Sequence, residues 1–143
     1  MSARFVVTSL VTFFAWAIAA VISQGLSDAA THSSSIWLAT GVTFGALLVV
    51  RAPNRPAVLL GAALATVALS LVDGLGFFQA LGFGLNEVLC ASVGAWLALR
   101  FRAVKENAQP DAGKAYAGLL LGAAVTSALG ASMSLLLWSW VMK

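Results

Sequence analysis

The chain is poor in charge, in cysteine and in histidine. Only 9% of its 143 residues are charged, against roughly 25% in a soluble domain. So little charge cannot cover a water-soluble surface and leaves no basic face for nucleic acid. The single cysteine, Cys90, excludes an internal disulfide, and with His32 as the one histidine the Cys/His set of a structural zinc site is missing too. There is no phosphate-binding loop, no histidine pair for haem, no carboxylate pair for a di-metal centre and no nucleophile–base arrangement. No cofactor and no metal is therefore expected, and the chain reads as non-catalytic.

Apolar side chains make up 61% of the sequence. They fall into uncharged runs over residues 5–24, 35–50, 57–72, 77–99 and 115–142, which predict one integral membrane domain over residues 1–143, an all-α polytopic transmembrane bundle of about five helices. The first run exceeds the 7–15 residues of a signal-peptide core and is read as a retained helix. The second and third are short for a hydrocarbon core of about 30 Å and must borrow from their flanks or sit in thinner lipid. No run alternates polar and apolar residues with period two, which excludes a transmembrane β-barrel.

The positive residues orient this map. Arg4 precedes the first run, Arg51 and Arg55 flank the turn after the second, and Arg100, Arg102, Lys105 and Lys114 separate the fourth from the fifth. The other two connections carry Asp28 and Asp73 but no Lys or Arg. Cationic loops stay in the cytoplasm, so the expectation is a multi-pass protein of the bacterial inner membrane with its N-terminus cytoplasmic and its C-terminus outside, Lys143 being the exception. Trp96, Trp138 and Trp140 suit interfacial depths.

Small residues mark where helices can approach closely. Gly118, Gly122, Thr126, Gly130 and Ser134 recur every four residues on one face, and Gly41/Gly45 and Gly61/Ala65 are shorter versions. Such a face either packs neighbouring helices or meets another subunit.

Glu87 stands in the middle of the fourth run, beside Asn86. An ionisable group at that depth costs roughly 2.5–3.5 kcal/mol on insertion scales unless it is protonated, paired or wet. No Lys or Arg lies inside any run, so its expected partners are Asn86 and the hydroxyls of Thr40, Thr43, Thr66 or Ser92. It is either a ligand- or proton-responsive site or a structural hydrogen-bonding group. His32 with Asp28 could form a weak cation site, and Cys90 follows Glu87 on roughly the same face; a solvated histidine and a small buried thiol are the blander readings.

The landmarks from residue 36 to residue 102 resemble MASE1, a membrane-associated sensor domain found before bacterial histidine kinase and diguanylate cyclase outputs. They are Ile36-Trp37-Leu38-Ala39-Thr40-Gly41, the basic proline turn from Arg51 to Pro56, Leu60-Gly61-Ala62, and Gly84-Leu85-Asn86-Glu87 followed by Trp96 and Leu99-Arg100. Leu38 and Ala39 replace the prolines typical after the tryptophan, and Asn86 and Glu87 are adjacent rather than spaced. The resemblance implies a sensory input module, with Asn86, Glu87, Trp37 and Thr40 as its polar intramembrane site and a ligand of unknown identity.

Composition leaves other readings open. An accessory subunit of a photosynthetic or respiratory complex would use the glycine face, with Gly118, Gly122, Gly130, Gly41 and Gly45 against other membrane subunits. A small proton-coupled transporter would use Glu87 and need a second copy to enclose a path. In every case the lipid bilayer is a partner and nucleic acid is not.

Overall fold

The computed structural model describes residues 2–28, 33–34, 38–102 and 112–141. In chain order they form α1 (Ala3–Gly25), β1 (Ser27–Asp28), β2 (Ser33–Ser34), α2 (Leu38–Val49), a 3-10 turn (Ala52–Asn54), α3 (Arg55–Val72), α4 (Phe77–Arg102) and α5 (Ala112–Val141). Each of the five apolar runs contains one helix. The two strands are a two-residue antiparallel pair in the α1–α2 connection, Ser27 opposite Ser34.

Local chemistry sets the boundaries. Ser2 Oγ accepts the Phe5 amide at 3.3 Å and caps α1. Pro56 stands in the first turn of α3, where its missing N–H costs nothing. Gly74, at φ +84°, takes the left-handed conformation that reverses the chain after α3. At the start of α4 the Gln79 side chain accepts the Gly76 amide at 2.9 Å.

The helices alternate in direction. Ser9 Oγ donates to the Ala57 carbonyl at 3.0 Å and Gln24 Nε2 to Asp73 Oδ2 at 3.2 Å, so α1 and α3 run parallel. Ser23 Oγ accepts the Leu38 amide at 2.9 Å, which starts the antiparallel α2 beside the end of α1. Helix α5 packs chiefly on α4, antiparallel to it. Arg4, Arg51, Arg55, Arg100 and Lys114 therefore collect at one end of the bundle, and the Asp73 turn lies at the other.

Four helices are long and apolar enough to cross a membrane, those covering Ala3–Gly25, Ala52–Val72, Phe77–Arg100 and Gly113–Leu137. Their outward faces carry large exposed apolar groups such as Phe14, Ile18, Phe78 and Leu120, as lipid contact requires. The protein is thus a multi-pass membrane protein. Helix α2 is described from Leu38 to Val49, within the expected run of residues 35–50.

The interior is built from small side chains. Ala19, Ala20, Ala39, Ala62 and Ala65 surround Trp16, and Leu47, Val58, Ala91 and Ala95 form a second cluster. Alanine stacks bring backbones close, and glycines bring them closer at three helix crossings. A methyl at Gly61 would collide with the Ser9 backbone of α1, one at Gly84 with Val67 and the Ala63 carbonyl of α3, and one at Gly94 with Thr126 and Gly122 of α5. Gly118, Gly122 and Thr126 are buried, whereas a methyl at Gly41, Gly45 or Gly130 would meet nothing within 4 Å. Within this chain the tight α4–α5 crossing therefore sits at Gly122, and Gly41 and Gly45 are not close-approach points.

Candidate functional site

Glu87 lies ten residues into α4, about 15 Å along the helix axis from Phe77. Glu87 is 7% exposed, and its carboxylate receives three donors from two other helices. Trp16 Nε1 of α1 donates to Oε1 at 3.0 Å. Thr43 Oγ1 of α2 donates to the same oxygen at 2.6 Å, and Thr40 Oγ1, also of α2, donates to Oε2 at 2.7 Å. Thr40 and Thr43 project to the same side of α2 because they are three residues apart on a 3.6-residue turn.

The donor set fits either ionisation state. An indole N–H can only donate, while a threonine hydroxyl donates or accepts. Oε1 is therefore an acceptor throughout, and Oε2 can exchange the roles of donor and acceptor with Thr40. This single side chain links α1, α2 and α4.

Asn86, next along the chain, turns toward α5. Its Nδ2 donates to Ser134 Oγ at 3.3 Å, and its Oδ1 accepts the Cys90 thiol at 3.0 Å. The two neighbouring polar residues thus serve different helices. Thr66 is engaged with the Ala62 carbonyl at 2.9 Å rather than with Glu87. Trp37 and His32 lie outside the described residues, as do the side chains of Asp28, Trp138 and Trp140.

Glu87 and Asn86 both border a half-open cleft of about 870 Å³ between the helices, to which Thr40, Gly41, Thr126 and Ser134 also contribute. Gly41 keeps this wall low, since nothing fills the space where its side chain would be. Trp16 was the member of the site that pattern reading passed over. Its signal was present: a buried indole N–H needs an acceptor, and Glu87 is the one carboxylate inside an apolar run.

The described residues thus form a helical membrane domain with one carboxylate, ten residues into α4, beside a half-open cleft. The MASE1 family model matches residues 6–143, and the chain belongs to the MASE1 family, a membrane sensory input domain. The match extends beyond the landmarks at residues 36–102 in both directions. No curated protein and no solved structure matches the chain.

Proposed function

We propose that this sensory input domain receives a small molecule in the cleft and relays its presence through the Glu87 linkage. The observation carrying this reading is the carboxylate itself, which borders the cleft while holding α1 and α2 to α4. A ligand that competes for Oε2 or Thr40 changes how firmly α2 is docked. Helix α2 suits that role because it holds Glu87 through two hydroxyls.

The test is whether α2 can be released without melting the bundle. Replacing Thr40 and Thr43 together by Val removes two interhelical hydrogen bonds, which average about 0.6 kcal/mol each in membrane proteins. Amides of α2 should then exchange roughly eightfold faster in nanodiscs, with α3 and α4 unchanged. Unchanged protection of α2, or equal loss in every helix, would refute the relay.

The cationic end of the bundle sets the proposed orientation, N-terminus cytoplasmic and C-terminus outside, in a bacterial inner membrane. In a Cys90→Ser background, Asn54→Cys should react with a membrane-impermeant maleimide only in inverted vesicles, and Asp73→Cys only in intact cells. The opposite pattern would invert the topology.

A further inference from the structure

The cleft has a sign. Glu87 lines its depth and Asp73 its edge, and the described residues that line it include no Lys, Arg or His. Its remaining polar lining is hydroxyl, amide and thiol, and Phe44 and Phe83 supply aromatic walls. A low-dielectric cleft with carboxylates as its ionisable groups attracts cations and repels anions. The hydrogen-bond inventory points the same way. A carboxylate offers about four lone-pair sites; Glu87 uses two on Oε1 and one on Oε2, so one acceptor site remains on Oε2. That oxygen can accept one further hydrogen bond.

We propose that the cleft binds a small organic amine: an ammonium group seated at Glu87 Oε2, with an apolar body against Phe44 and Phe83. This inference rests on the reading of the cleft as a ligand site and adds the chemical class. The volume of about 870 Å³ is within the range of small-molecule pockets, roughly 300–1,000 Å³. The aromatic walls favour a cation over a neutral molecule of the same shape. Asp73 is exposed, and Gln24 occupies one of its oxygens at 3.2 Å. Its charge recruits the amine at the edge of the cleft, and Glu87 holds it about 15 Å further along the bundle axis.

Three probes with one apolar body separate the possibilities: phenethylamine, phenethyl alcohol and 3-phenylpropionate. Each is titrated calorimetrically into the full chain in phosphatidylcholine nanodiscs at neutral pH, with empty nanodiscs subtracted. The amine should bind, the alcohol about tenfold more weakly, and the carboxylate not at all. Glu87→Gln should weaken the amine about tenfold and leave the alcohol unchanged. Asp73→Asn keeps an oxygen that can accept from Gln24 Nε2, and should slow amine association while leaving thermal stability intact.

Equal binding of amine and alcohol overturns the charge selection while leaving the cleft as a ligand site. Tighter binding of 3-phenylpropionate overturns the proposal outright. Loss of amine binding in Asp73→Asn but not in Glu87→Gln confines the ligand to the edge and also overturns it. If none of the three probes binds, the amine assignment fails, and the α2 exchange experiment judges the relay independently.

Discussion

Glu87→Leu should unfold more readily than the native chain in a mixed-micelle titration, by about 2 kcal/mol, a roughly 30-fold change in equilibrium constant. The size follows from three interhelical hydrogen bonds lost together, at about 0.6 kcal/mol each. The two threonine hydroxyls can fall back on carbonyls one turn upstream, which keeps the loss from being larger. Leucine also removes a carboxyl that is expensive in hydrocarbon, but the inserted, separated helices gain from that as well, so it largely cancels. Glu87→Gln is the discriminating control. Its amide oxygen still accepts from Trp16 and Thr43, and its NH2 can donate to Thr40, so its stability should stay within about 1 kcal/mol of native. If leucine and glutamine variants are equally stable, the carboxylate does not hold the three helices together.

The second large effect is at the α4–α5 crossing. Gly→Ala in a helix is ordinarily favourable by about 1 kcal/mol, yet Gly94→Ala should destabilise by about 2 kcal/mol because the crossing has no room. The new methyl would overlap the Thr126 side chain and lie 2.6 Å from the Gly122 carbonyl oxygen. The carbonyl belongs to the backbone and cannot rotate away, so the helices must separate. Because α5 packs chiefly on α4, amide exchange in α5 should rise with that loss. Gly130→Ala, on the same face of α5 as Gly122, meets nothing within 4 Å and should be neutral or slightly stabilising. Equal tolerance of both substitutions would show that the crossing is not the contact that seats α5.

These two predictions also show how far the residues alone could lead. The existence and order of the helices were legible because hydrophobic runs long enough to span are a strong signal, and the structure places one helix in each. The periodic glycines of α5 share one face, but spacing alone could not separate Gly122, where an added methyl would meet the α4 backbone, from Gly130, where it would meet nothing within 4 Å. That distinction depends on where two helix axes cross. Thr40 and Thr43 were among the hydroxyls within reach of Glu87, and the structure joins them to it. Trp16 was harder to see because it lies 71 residues away in sequence and reads locally as one more apolar residue of α1. Asn86 and Glu87 look like one polar unit in sequence; adjacent helix positions point about 100° apart, and so they serve different neighbours.

The position of Glu87 also bears on how the chain assembles in the bilayer. Its three donors lie on α1 and α2, which precede α4 in the chain. When α4 enters the membrane, partners for its carboxyl have therefore already been synthesised, and docking offsets the roughly 2.5–3.5 kcal/mol that an ionisable group costs on insertion scales. The order of synthesis and the hydrogen bonding of one side chain thus act together during insertion.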